Sequence, residues 1–192
     1  ILKGYFRSWK LQCAFLFCCP EGVGKLLAAE NFAKAANCLE EKEDCCDHCP
    51  SCIKIDKRQH PDLHFIGPDE DVIKIEYVRQ LKKEIALRPY EARLKFFIIN
   101  DAHNINAEAA NALLKVLEEP IGNCVIILVS AKPSLLFKTI ISLCKIVKFA
   151  PLKKRELEEV LKKEYFLKEG PAHFLAYFCE GKLGYALKLK ER

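Results

Sequence analysis

Apolar residues along this chain fall into short unbroken runs separated by amphipathic stretches of helical period. The runs at residues 14–18 (AFLFC), 96–99 (FFII) and 125–130 (VIILVS) lack polar alternation, which predicts parallel strands buried on both faces. Residues 60–66 predict a shorter strand entered through Pro61, and residues 138–151 end in a further apolar strand. Helical patterns lie between these runs. Ala110, Leu113, Leu114 and Leu117 repeat at i, i+3, i+4, i+7, between a suitable N-cap at Asn106 and a stop at Pro120. Residues 75–87 place Ile75, Val78, Leu81, Lys82 and Ile85 at helical spacing. Shorter helices are predicted over residues 5–11 and through residues 31–36. Beyond Pro151 the pattern becomes charged amphipathic helix, with Leu157, Val160 and Leu161 on one face. Gly170-Pro171 is expected to break it, and residues 172–179 and 183–189 read as two further short helices.

Strands alternating with helices predict an α/β domain built on a five-stranded parallel sheet, over residues 1–151, followed by a small helical domain at 152–192. Composition adds little to this. Half of the residues are hydrophobic and 30% are charged, as in a soluble globular protein. The net charge of +5 permits contact with nucleic acid but does not argue for it; a solvated Lys/Glu surface is the better explanation. No apolar run approaches the roughly 20 residues of a membrane span, and there is no secretory signal. The absence of an initial Met predicts a trimmed or processed chain, and the 11 cysteines predict a reducing cytoplasm with metal rather than disulfide chemistry.

Three stretches carry candidate chemistry. The first follows the 14–18 strand: CCPEGVGK, a tight loop leading into a helix, as a P-loop requires. Gly22 and Gly24 suit backbone N–H groups turned toward phosphates, and Lys25 adds a charge. Cys19 stands where that pattern has its first Gly, and Leu26 where a Ser or Thr would hold Mg²⁺. The second is Cys38 with the C-x2-C-x2-C of Cys46, Cys49 and Cys52. Four thiolates fit tetrahedral Zn²⁺ in a closed, structural site. Cys45 is an alternative to Cys46, His48 reads as a turn residue, and a thioredoxin-like redox site leaves Cys38 and Cys52 unexplained. The third is Asn100-Asp101 at the end of the 96–99 strand, the edge at which open α/β sheets bind ligands. Asp101 is expected to cap or brace the following loop, with His103 hydrogen-bonding within it. His60 and His64 are expected at the surface or at a strand edge.

Residues 95–120 (KFFIINDAHNINAEAANALLKVLEEP) resemble the Walker B region of bacterial clamp-loader AAA+ subunits. The cysteine module, the His60-Pro61-Asp62 segment, IKIEYVRQL, TIISLC and GKLGYALKL are similar to further family segments, so the resemblance covers nearly the whole chain. It implies a three-layer AAA+ P-loop domain with strand order 5-1-4-3-2, a four-cysteine zinc insert at 38–52, a helical lid from 152, and a collar domain absent from this chain. Cys19, Leu26, Asn100, Leu143 and Gly184 each replace a residue that in the family binds, hydrolyses or senses ATP; Leu143 takes the arginine-finger position and Ser130 that of a polar sensor. The pattern is most similar to the delta-prime class, which implies a vestigial P-loop at Gly22, Gly24 and Lys25, weak or no ATP binding and no intrinsic ATPase. The implied partners are gamma/tau and delta subunits in a heteropentamer, and through it the sliding clamp and primed DNA. Two rivals are an active gamma/tau-type ATPase with a divergent site and a zinc-dependent nucleic-acid-binding module. The acidic residues among the cysteines disfavour the latter.

Overall fold

The computed structural model describes Gly4 and residues 14–41, 43–68, 71–119 and 122–190. The helix expected over residues 5–11 and the stop at Pro120 lie outside them. Five strands form one sheet: β1 (Ala14–Cys18), β2 (Leu63–Ile66), β3 (Lys95–Ile99), β4 (Cys124–Ser130) and β5 (Lys145–Lys148). Their order is β2-β3-β4-β1-β5, the expected 5-1-4-3-2 read from the other edge. Parallel pairing sets Phe96 beside Leu63 and Val125, and Ala14 beside Ile126. Every residue of β1, β3 and β4 is buried. Strands covered on both faces need a layer of helix on each side, and this is why they read as unbroken apolar runs.

Helix α1 (Lys25–Asn37) lays Phe32 across one face, with ring centroids 5.4 Å from Phe15 and 6.1 Å from Phe96. At its end the Asn37 side chain donates to the Leu94 carbonyl at 2.9 Å and accepts the Leu94 N–H at 3.1 Å, fixing α1 to the start of β3. A short α2 (Pro50–Asp56) follows, then α3 (Ile75–Ile85) and α4 (Ala107–Glu118). The α4 N-cap is Asn106, whose side chain accepts the Ala109 N–H at 2.8 Å.

Burial shifts two predicted faces. Helix α4 buries Ala109 and Val116 beside Ala110, Leu113 and Leu117, while Leu114 is half-buried. On α3 only Val78 and Leu81 are buried; Lys82 is exposed and pairs with Glu119 at 3.1 Å. A cation at an apolar-period position keeps its head in water.

After α5 (Lys138–Ser142) and β5 the chain forms α6 (Lys154–Lys163), α7 (Glu169–Phe178) and α8 (Leu183–Lys190). Leu157, Leu161, Ala172, Ala176 and Ala186 make a separate buried cluster. Gly170-Pro171 does not break a helix here but lies in the first turn of α7, where the missing proline N–H has no intrahelical partner to lose. The chain resolves into two compact units, one of β1 with Leu26–Val147, the other of Cys19–Lys25 with residues from Lys148 onward. No described helix is long and apolar enough to cross a membrane.

Candidate metal centre and phosphate loop

The cysteine module is assembled by the ends of two helices. Cys38 follows α1 directly, Cys49 is the N-cap of α2, and Cys52 lies in the first turn of α2. Pro50 and Ser51 open that helix, with Pro50 at its first position. The Sγ atoms of Cys38, Cys46, Cys49 and Cys52 all lie within 4.8 Å of one another. Tetrahedral zinc with bonds of about 2.3 Å holds its sulfurs roughly 3.8 Å apart, so this cluster could hold a metal ion with small side-chain adjustments. Cys45 is outside the group, although it packs against it.

The surroundings favour the thiolate at Cys38 and Cys49 and oppose it at Cys46 and Cys52. Backbone N–H groups of Glu41, Cys49 and Cys52 donate to the sulfurs of Cys38, Cys46 and Cys49 at 3.3, 3.3 and 3.5 Å. Burial works to raise the Cys49 thiol, but backbone donors from Leu39 and Cys52 outweigh it and bring the pKa to about 6. The same balance lowers Cys38. Cys52 moves the other way, raised by burial and by its neighbour Cys49. Burial, with Asp47 nearby, pushes Cys45 up to about 11. His48 behaves as a turn residue: Nδ1 meets the Cys46 carbonyl at 2.6 Å and Nε2 meets Glu40 at 2.7 Å.

Sequence reasoning missed what moors this module. Lys34, on α1 and buried, pairs with Asp47 between two cysteines and donates to Asp56 at the end of α2 at 2.8 Å. Burial alone would lower the lysine pKa, but the two carboxylates reverse this and hold it well above 10.5. No local signal marks this trio, because Lys34 and Asp56 lie 22 positions apart.

The loop before α1 has the backbone of a phosphate loop. Gly22 and Gly24 take φ of +78° and +88°, which a side chain would strain. Cys19 takes φ +106° despite carrying a side chain, a costly conformation at a glycine position. The Lys25 ammonium, buried at the start of α1, donates to the loop's own carbonyls at Cys19 (2.7 Å) and Pro20 (2.6 Å). The Gly184 N–H donates to the Gly22 carbonyl at 2.7 Å, and a Cβ on Gly184 would sit 3.1 Å from that oxygen. A side chain at Gly184 would therefore press on the loop.

At the end of β3, the Asn100 side chain donates to the Asp101 carboxylate at 2.8 Å. Asp101 has φ +48° and makes no side-chain cap to the 3-10 turn Ala102–Asn104, so it braces against its neighbour rather than capping the loop. His103 Nδ1 lies 3.3 Å from Ser130 Oγ, which also accepts the Lys132 N–H at 3.2 Å. Leu143, after α5, is 39% exposed. The His60-Pro61-Asp62 segment is structural. His60 is buried rather than at the surface, and Asp62, also buried, accepts N–H bonds from Tyr90, Glu91 and Ala92 at 2.7, 2.8 and 2.8 Å.

Comparison with known proteins gives one consistent relationship. The family model described as "DNA polymerase III, delta subunit" matches residues 1–153. The DNA polymerase III subunit delta' of Bacillus subtilis is 39% identical over 161 residues, covering 84% of this chain and 49% of its own length. The tau subunit of the same organism is 30% identical over 197 residues, covering all of this chain and 35% of its own. The chain thus spans about half or less of these relatives. Among solved structures, a gamma subunit-related protein of Thermotoga maritima superposes with a TM-score of 0.60 at 22% identity, over 84% of this chain and 49% of its own. The RuvB Holliday junction branch migration motor of that organism does so with 0.67 at 16%, over 100% and 57%. At those identities the structures establish the P-loop NTPase fold alone.

Proposed function

The chain belongs to the DNA polymerase III delta-type family of clamp-loader subunits, and from that premise we propose that it is a delta-prime-type subunit that does not hydrolyse ATP. It serves as a rigid member of a heteropentamer, beside gamma/tau and delta subunits, that opens the sliding clamp and places it on primed DNA. The observation that carries this reading is the state of the phosphate loop. A working loop leaves its lysine for the β- and γ-phosphates and puts a hydroxyl on Mg²⁺. Here Cys19 stands in place of the first glycine with a strained positive φ, and Leu26 has no oxygen to offer. At the end of β3, Asn100 provides no charge for the metal and is tied to Asp101. Gly22, Gly24, Lys25 and Asp101 are accordingly vestiges of a nucleotide site.

Zn²⁺, held by Cys38, Cys46, Cys49 and Cys52, would cross-link the end of α1 to the start of α2. Four thiolates close the coordination shell, so the metal supplies stability and no catalytic step.

Equilibrium binding of ATP and phosphate release by the full chain, each with and without Mg²⁺, test the reading. Neither binding nor turnover is expected. Mg²⁺-dependent turnover would overturn it in favour of an active gamma/tau-type ATPase.

A further inference from the structure

Away from the phosphate loop and the cysteines, the free edge of the sheet opens into a cavity of about 440 Å³ between β2 and α3. That volume is in the range of small-molecule sites. Its walls come from residues of both faces of β2 and from Tyr77, Gln80, Leu81 and Glu84, which recur at i, i+3, i+4, i+7 along α3. One helix face and one strand present most of the lining, with Arg58 and the β3 residue Phe97 completing it.

Three properties of the lining define what it would hold. Its aromatic surface is already arranged for stacking: the His64 imidazole lies parallel to the Phe97 ring, with centroids 4.8 Å apart and planes at 11°. A planar ring could extend that pile at little conformational cost. Its charges are already neutralised from within. Arg58 donates to Glu30 at 2.6 Å and rests over the Phe65 ring at 4.6 Å, and Glu84 receives Lys95 at 3.4 Å. Burial keeps the His64 imidazole neutral. A charged ligand would lose its hydration and find no uncompensated partner. Third, the lining keeps polar capacity in hand: the Gln80 amide and the Tyr77 hydroxyl flank the cavity.

We propose that this cavity is a binding site for an uncharged planar aromatic ligand whose edge donates or accepts hydrogen bonds. The inference is independent of the clamp-loader reading, because no residue of the phosphate loop or cysteine module takes part.

An isosteric series tests it directly: neutral benzamide, anionic benzoate and cationic benzamidinium, titrated into the ¹⁵N-labelled full chain with zinc present. Benzamide should give saturable shifts at the Phe65, Tyr77 and Gln80 amides. Benzoate and benzamidinium should bind at least about tenfold more weakly, because each must bury a charge. Gln80→Trp, at an exposed position, should plug the cavity and abolish the shifts. If the tryptophan variant melts early, Tyr77→Ser removes a wall instead and should weaken binding likewise. The proposal is overturned by equal binding of the three probes, by no saturable benzamide shift, or by shifts that survive both wall variants.

Discussion

Asp62 offers the sharpest test of the reasoning about the fold. It is 1% exposed, and three backbone N–H groups of the turn before β3 converge on its two oxygens. In Asp62→Asn, Oδ1 can still accept the Tyr90 N–H, but an NH₂ group would face the donors of Glu91 and Ala92. Two charge-assisted bonds are then lost, each worth about 1.5–3 kcal/mol. The turn is partly open to water, Tyr90 being 85% exposed, so the net loss should fall to about 3 kcal/mol. Burial by itself would raise the Asp62 pKa, but the three donors reverse this and hold it below the ordinary 3.8. A depressed folded pKa means that the contribution is present above about pH 4 and is lost as pH falls through the folded value. The assay is urea unfolding followed by hydrogen exchange, since two compact units need not melt together. At pH 7 the variant should lower the midpoint for β3 amides with m unchanged and leave α6–α8 amides unaffected. Near pH 3 the gap between variant and parent should narrow. A loss under about 1 kcal/mol, or one shared equally by α6–α8, would refute the account.

Three further outcomes follow from the geometry. Stripping metal with a chelator should speed exchange across residues 38–56 while β1, β3 and β4 stay protected, and Cys52→Ser should lower bound zinc below one per chain; global unfolding on chelation would contradict an inserted module. Lys34→Met should loosen the same residues at a cost of about 1–2 kcal/mol, read from exchange at 46–56, because Asp47 and Asp56 are 66% and 52% exposed and leave no buried orphan charge. Cys19→Gly should raise stability by roughly 0.5–1 kcal/mol, relief of the positive φ outweighing the added chain entropy. A fall in melting temperature for that variant would show that the Cys19 side chain contributes more than its strain costs.

Much of the fold was legible because buried parallel strands and one strongly periodic helix announce themselves locally. AFLFC and VIILVS lie within a residue of β1 and β4, and Asn106 caps α4 as its residue type suggests. The cysteine spacing was legible for the same reason: ligand geometry fixes short intervals. What was missed is non-local or depends on context. Ala109 and Val116 displaced Leu114 from the buried face because a helix lies on a particular surface, not on an average one. Pro171 was read as a breaker when its place in the first turn made it compatible. The ties from Asp62 to Tyr90 and from Asn37 to Leu94 join residues 28 and 57 positions apart, and nothing in either segment names its partner.

The close approach of Gly22 and Gly184 bears on how this chain could change. Two positions 162 apart are joined by one 2.7 Å bond; a Cβ at 184 would press on the Gly22 carbonyl at 3.1 Å, and the positive φ of Gly22 would strain any side chain there. Putting an arginine at 184 would first have to displace the loop, while adding a hydroxyl at 26 gains nothing until Asn100 also changes. The substitutions are thus strongly epistatic. An engineer building ATP chemistry into this loop would therefore have to change positions 26, 100 and 184 together.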